Sequence, residues 1–169
     1  MNARTTAVAL RPMLPADAPV LAAIFRASVE GLTAEDYSPA QQEAWMSGAD
    51  DEAAFAARRA GELTLVATLA REPLGFASLK GNDHIEMLFV HPRAANRGLA
   101  KALCDALETL AAARGVTRIT TDASDTARDF FAHRGYTPVR RNTVEVNGQW
   151  LGNTSMEKTL APLRKGPLQ

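Results

Sequence analysis

Residues 84–90, HIEMLFV, are apolar at five of seven positions, and beyond a basic glycine-containing turn Leu99, Leu103, Ala106, Leu107 and Leu110 recur at i, i+4, i+7, i+8 and i+11. The first run reads as a central strand, with Ile85, Met87 and Phe89 on one face and His84, Glu86, Leu88 and Val90 on the other. The second is one stripe of a helix that begins near Arg97, packs on a sheet and ends at Gly115. Upstream, residues 8–11 predict a short strand stopped by Pro12 and Pro15. A helix follows from Asp17 to about Ala27, with Val20, Leu21, Ile24 and Phe25 as its apolar face. Residues 28–38 read as a loop. Ser38-Pro39 then looks like an N-cap with proline in the first turn of a helix carrying Trp45 and Met46, and a further helix covers residues 51–60. Strands at 63–69 and 74–79 form a hairpin over Arg71-Glu72-Pro73, and Gly81-Asn82-Asp83 is turn chemistry. After the long helix come a strand at 116–121, a helix capped by Ser124 or Asp125 and closed at Gly135, and strands at 136–146 and 150–158 joined across Asn147-Gly148. The layout is mixed α/β (α+β), one domain over residues 1–160 with a polar tail at 161–169.

The turn before the long helix carries the first chemical signal. The first turn of a helix presents main-chain N–H groups without acceptors and the positive end of the macrodipole, and Gly98 and Ala100 leave that backbone uncovered. Arg93, Arg97 and Lys101 surround it with cations. Such an end is an anion site.

Charge distribution adds to this where net charge does not. The 19 basic and 19 acidic residues cancel, which gives general nucleic-acid binding little electrostatic support. Residues 91–141, however, hold nine Lys or Arg against five acids, and residues 30–52 hold seven acids and no Lys or Arg. The acidic stretch would suit attraction of a cationic amine, or simply a solvated helical surface. No uncharged apolar run approaches the length of a membrane span, and no basic segment with an apolar signal core opens the chain, so a cytoplasmic location without membrane association is expected. The single Cys104 permits no internal disulfide. Three scattered histidines with one cysteine give no metal-ligand spacing.

Ala95-Asn96-Arg97-Gly98-Leu99-Ala100 resembles the acyl-coenzyme-A motif Q/R-x-x-G-x-G/A of the GNAT N-acetyltransferase superfamily. Residues 124–136, SDTARDFFAHRGY, are similar to that family's second motif, N-x-x-A-x-x-F-Y-x-x-x-G-F/Y. Ala95 stands where Gln or Arg is usual, and Phe131 where the family often has a tyrosine general acid. The resemblance implies a mostly antiparallel central sheet of about six to seven strands that splays open after the fourth, flanked by four to five helices. It also implies acetyl-coenzyme A as co-substrate. The diphosphate would lie on Ala95, Asn96, Arg97, Gly98, Leu99, Ala100 and Lys101, with Arg93 nearby. The pantetheine arm would pair with the main chain of Leu88, Phe89 and Val90, the Val90 N–H serving as oxyanion donor. Ser124, Ala127, Phe130 and Phe131 would complete the cofactor surface.

Transfer to an amine requires a proton acceptor, because a lysine-like amine is only about 1 part in 2,500 neutral at pH 7, equivalent to roughly 4.6 kcal/mol. Glu86 and His84 are the titratable side chains of the cofactor strand and the candidate bases; burial of Glu86 beside Leu88 and Val90 would favour proton uptake. Tyr37, Trp45 and Trp150 are candidates for the acceptor site, each an aromatic flanked by polar residues. Two functions stand at this point: an N-acetyltransferase acting on a primary amine of a small molecule or protein, or a non-catalytic acyl-coenzyme-A-binding module, for which Phe131 speaks. The acceptor, the acyl preference and the oligomeric state, including a homodimer, are open.

Overall fold

In the computed structural model, which describes residues 7–162, three antiparallel strands lead into the apolar run singled out above. They are β1 (Ala9–Pro12), β2 (Leu63–Leu69) and β3 (Glu72–Lys80), and the fourth is β4 (His84–Val90). β4 pairs in parallel with β5 (Arg118–Ser124), and β5 continues antiparallel into β7 (Gln149–Thr159), with β6 (Thr137–Val146) at the edge. A parallel pair needs a crossover longer than a hairpin, and the amphipathic helix α4 (Leu99–Ala113) supplies it. Helices α1 (Ala18–Leu32), α2 (Pro39–Met46), α3 (Glu52–Ala60) and α5 (Arg128–His133) complete the mixed, mostly antiparallel architecture. Among the described residues, no helix is long and apolar enough to cross a membrane.

Two apolar layers hold the sheet. On one side the α4 stripe, Leu99, Leu103, Cys104, Leu107 and Ala111, packs on Leu65, Ala77, Leu79, Ile85 and Ile119, and Phe131 and Tyr136 join this layer. On the other, Leu21, Ile24, Phe25 and Val29 of α1 and Phe55 of α3 cover Val66 and Phe76. Each fully buried large side chain contributes on the order of 1.5–3 kcal/mol, and neither layer is dispensable.

The departures from the sequence reading have local causes. α1 runs through Leu32 because Val29, in the segment read as loop, is fully buried against that second layer and draws a further turn into the helix. At Gly31 a Cβ would stand 2.6 Å from Pro92 Cγ, so the absent side chain lets α1 buttress the turn leading to α4. The β2–β3 turn is Ala70-Arg71, both at positive φ, and Pro73 lies in β3 opposite Thr68 at a register shift, where its missing N–H disturbs no regular ladder. Ser38 caps α2 as expected, with Gln41 reciprocating in a capping box. Asn147 and Gly148 are both left-handed, the geometry of a tight hairpin turn. α4 begins at Leu99 instead of near Arg97, since Gly98 takes φ 86° and interrupts the helix ahead of it. The tail expected at 161–169 lies, from residue 163 onward, outside the described residues.

Candidate active site

β4 and β5 stay together for only two residue pairs, His84 with Thr120 and Ile85 with Thr121, and then separate. The Thr120 N–H donates to Asp83 O (2.9 Å) and the Thr121 hydroxyl to Ile85 O (3.0 Å), which pins the apex. Just past it the β3–β4 register shifts: Leu79 opposes Ile85 and Ser78 opposes Met87, so Glu86 is the extra residue of a bulge. Bulges bend the strand that carries them. The strands therefore part at the residue that bears the candidate base.

The bulge also overturns the strict alternation expected of β4. Ile85, Leu88 and Val90 share the α4 side, whereas Met87 and Phe89 face α1. Glu86 therefore is not buried beside Leu88 and Val90; its side chain keeps 36% of its exposure. His84 remains its neighbour, with Nε2 3.5 Å from Glu86 Oε2.

Below the bulge, β4 has main-chain groups to spare. The His91 N–H donates to Leu74 O at 2.7 Å, and antiparallel alternation then turns the N–H and C=O groups of Val90 and Leu88 away from β3, toward the side that β5 has vacated. These are the groups expected to meet a pantetheine arm and an oxyanion.

The turn into α4 is equally open. His91 Nδ1 accepts the Arg93 N–H (3.1 Å) and Pro92–Ala94 form a single 3-10 turn. The chain then passes through left-handed Asn96 and Gly98, and nothing lies within 4 Å of where a Gly98 Cβ would project. Among the described residues the N–H groups from Asn96 to Lys101 find no acceptor, the first helical bond being Ala102 N–H to Gly98 O (3.0 Å). Six consecutive free donors at a helix start fit a diphosphate. Of the three cations expected to surround them, Arg93 is paired with Glu72 and Lys101 with Asp105 (2.6 Å), leaving Arg97 without an acidic partner among the described residues. Ala95 contributes backbone alone.

Between the parted strands lies a cleft of about 450 Å³ that brings together Glu86, Leu88, Phe89, Ser124, Ala127, Phe131, Tyr37 and Trp45 from the expected set. Phe131 is 2% exposed, packs on Phe130 and Tyr136, and offers no proton. Ser124 Oγ accepts the Ala127 N–H (3.1 Å), closing the turn that precedes α5. Tyr37 closes the roof: its hydroxyl donates to Gly152 O (2.7 Å) and accepts the Asp125 N–H (2.9 Å), while Gln41 Nε2 donates to Trp150 O (2.8 Å). Burial raises the Tyr37 pKa, and the Arg141 guanidinium bonded to Asp125 holds that carboxyl below its ordinary value. Trp45 meets Tyr37 and Phe89 edge-on at 5.2 and 6.1 Å. Trp150 is not brought in; 60% exposed, it sits on the hairpin with only its carbonyl engaged. Tyr136 is also turned away, its buried hydroxyl donating to Glu108 (3.2 Å).

The acidic stretch does not line the cleft. None of the seven acids of residues 30–52 lines it, and the charged side chains that do from that half are Arg58 and Arg59. The carboxylates present are Glu86 and Asp122, the latter unanticipated because the parallel β4–β5 register that sets it beside His84 leaves no mark in either strand's own pattern. Among the described residues no group of three or more His, Cys, Asp or Glu is arranged to hold a metal.

The model of the acetyltransferase (GNAT) domain family matches residues 33–160. The chain belongs to the GNAT N-acetyltransferase family. The uncharacterized N-acetyltransferase YafP of Escherichia coli (strain K12) is 34% identical over 149 residues, 88% of this chain and 94% of YafP. The crystal structure of a GCN5-related N-acetyltransferase from Rhodopseudomonas palustris superposes with a TM-score of 0.89 at 63% identity, covering 90% of this chain and 95% of that one. The fold is shared more widely: YncA of Salmonella typhimurium, solved with acetyl-coenzyme A, has a TM-score of 0.63 at 20% identity over 95% of this chain and 98% of its own. Membership decides between the two functions in favour of the enzyme, an acetyl-coenzyme-A-dependent acyltransferase. The splayed sheet and the open glycine turn are thus those of a GNAT enzyme.

Proposed function

We propose that this GNAT enzyme transfers the acetyl group of acetyl-coenzyme A to a primary amine by direct attack, with Glu86 and His84 as the proton acceptors. The observation that carries the reading is the row of unpaired N–H groups from Asn96 to Lys101, opening beside the unpaired main chain of Leu88 and Val90. The diphosphate would rest on that row with Arg97 as its flanking cation, and the pantetheine arm would run along Leu88 to Val90 between β4 and β5, bounded by Ser124, Ala127 and Phe131. Acetyl-coenzyme A supplies an acyl carbon already activated as a thioester.

The chain's own residues then have three tasks. Phe25, Trp45 and Phe89 exclude water from the acceptor side of the cleft. Glu86, exposed to the cleft and backed by His84, takes the proton that the amine must lose, a task worth about 4.6 kcal/mol for an alkylamine at pH 7. The Val90 N–H, directed into the splay, donates to the carbonyl oxygen as it gains charge. Among the described residues that line the cleft, Phe131 has no proton and the one tyrosine, Tyr37, commits its hydroxyl to Gly152 O, so no phenol is offered to the departing thiolate. Water serves, and a thiol that ordinarily titrates near about 8.5 is a tolerable leaving group.

Thiol release measured over a panel of amines, with wild type and Glu86→Gln, tests the assignment. Amine-stimulated release that drops about 100-fold or more in Glu86→Gln is expected. Amine-stimulated release indifferent to the substitution would remove Glu86 as base, and the absence of stimulation by any amine would remove the proposed acceptor class.

A further inference from the structure

We propose that Arg59 is the carboxylate-binding residue of the acceptor subsite, so that the amines this enzyme takes carry a carboxylate of their own. The inference rests on the acetyl-transfer reading above and names the class of acceptor.

Two arginines lie in the last turn of α3, where the helix macrodipole favours cations. Arg58 is an ordinary case: exposed, with Nη2 donating to Gly48 O (3.0 Å). Arg59 is not. Its side chain keeps only 3% of its exposure, its guanidinium lies over the Phe55 ring at 5.2 Å, and its side-chain hydrogen bond runs from Nη2 to Glu62 Oε1 (2.9 Å). Among the described residues, Nε and Nη1 are buried without an acceptor. A guanidinium carries five N–H donors, and buried polar groups are normally paired. Here one carboxylate oxygen is met and the donors on Nε and Nη1 are left over. Arg59 stands between the cleft and a second cavity bordered by Met13, Leu14 and Ala60. That second cavity has its own acid, Glu62, which does not line the cleft. On the cleft side, neither Glu86 nor Asp122 pairs with the guanidinium, so a carboxylate brought by a ligand has donors waiting for it.

Strand register places these donors relative to the proposed base. The Thr64 hydroxyl of β2 donates to Arg59 O (2.9 Å), and Thr64, Ser78 and Met87 stand opposite one another across β2, β3 and β4. The end of α3 therefore sits over that row, whose last member adjoins Glu86. Ser78, on the same sheet face as Phe76 and 0% exposed, has a hydroxyl that also lacks a partner among the described residues. Two elements thus leave buried polar atoms unmet at one place. β2 and β4 are two strand spacings apart, roughly 10 Å, a span shared between the Arg59 side chain and the acceptor. An acceptor with its carboxylate on Arg59 and its nitrogen at Glu86 has the two groups a few bonds apart, as in an amino acid, and fits a cleft of about 450 Å³. Phe25 and Trp45, which also line the cleft, keep water from the guanidinium–carboxylate pair, and Arg58 adds a second positive charge at this end.

The test measures kcat/KM with acetyl-coenzyme A for amino acids of increasing chain length, from glycine to 6-aminohexanoate, each against its own carboxamide and with rates referred to the neutral amine. Wild type should prefer at least one acid over its carboxamide by about 10- to 100-fold, chiefly in KM. The double variant Arg59→Met with Glu62→Gln removes the buried pair together, so that no single charge is stranded. Whatever its absolute rate, its acid-to-carboxamide ratio should fall to within about threefold of unity, and Arg59→Lys, which keeps the charge with fewer donors, should lie between. A ratio unmoved by the double variant overturns the proposal. Succinyl-coenzyme A offered with the carboxamides examines the other source of a carboxylate: a preference for that donor that vanishes in the double variant would place Arg59 at the acyl group and overturn its assignment to the acceptor. The wild-type ratio needs no variant. Acids and carboxamides accepted alike would overturn this inference and leave acetyl transfer intact, whereas a wild type that acetylates no amine would overturn both.

Discussion

If Glu86 acts by removing a proton from the acceptor, its loss must be repaired by alkali. For an amine of pKa near 10.4 the neutral fraction is about 1 in 2,500 at pH 7 and about 1 in 25 at pH 9, a gain of roughly 100-fold, or about 2.7 kcal/mol, that needs no base. Glu86→Gln keeps the side chain's size at the bulge and should lose about 100- to 10,000-fold in kcat/KM at pH 7, the usual range for a positioned general base. Because its side chain is 36% exposed and faces a cleft, the amide should not disturb the fold, and an unchanged melting temperature would check that. Between pH 7 and 9 the ratio of wild-type to variant rates should therefore shrink by up to about 100-fold. The window must stop near pH 9. Burial holds the Cys104 thiol up to about 12, above its ordinary 9.0, so the folded state keeps a proton that the unfolded state sheds beyond pH 9. The assay is steady-state thiol release with a fixed alkylamine at both pH values. A deficit that is constant with pH would mean that Glu86 positions the acceptor or the strand without taking its proton, and no deficit would place the base elsewhere.

The alkaline limit is itself testable: the stability attached to Cys104 is complete below about pH 9 and falls as pH rises toward 12, with buried Tyr136 adding a loss of the same sign above 10, so thermal melts should decline steeply over that range and less steeply in Cys104→Ala. Arg97→Glu should weaken coenzyme A binding about tenfold at low salt and by much less at 1 M, where screening acts over about 3 Å, as calorimetry can show; a salt-independent effect would argue for lost packing. Tyr37→Phe removes the hydroxyl shared by Gly152 O and Asp125 N–H, and should cost about 1–3 kcal/mol and roughly 3–10 °C in melting temperature. Unchanged melting would mean that the roof of the cleft does not depend on that bond.

Much of this enzyme was legible in its sequence because the informative segments obey local rules. The α4 stripe, the Ser38 cap, the Asn147-Gly148 turn and the glycine turn before α4 each state their conformation within a few residues. What escaped was set by pairing between distant segments. The bulge at Glu86 arises where β3 runs out of register with β4, and a period-2 reading of HIEMLFV cannot contain it. Asp122 becomes a neighbour of His84 only through the parallel β4–β5 contact. Tyr37 is separated in sequence from both of its partners, Gly152 and Asp125, and Trp150 reads like an acceptor-site aromatic until the exposure of its hairpin is known. Of the two readings of the charge run at 30–52, the solvated surface is the one the structure supports, all seven acids being exposed and none lining the cleft; helical faces, which composition does not resolve, decide which charges reach a cleft.

The central claim is that main-chain donors between Asn96 and Lys101 hold the diphosphate and so deliver the thioester along β4. An amide-resolved NMR titration of isotope-labelled protein with coenzyme A, and in parallel with pantetheine, addresses it directly. Coenzyme A should move the amide protons of Asn96 to Lys101 downfield together with those of Leu88 and Val90, and pantetheine, which lacks the diphosphate, should move only the latter pair. Tight coenzyme A binding that leaves the six turn amides unmoved would contradict the account.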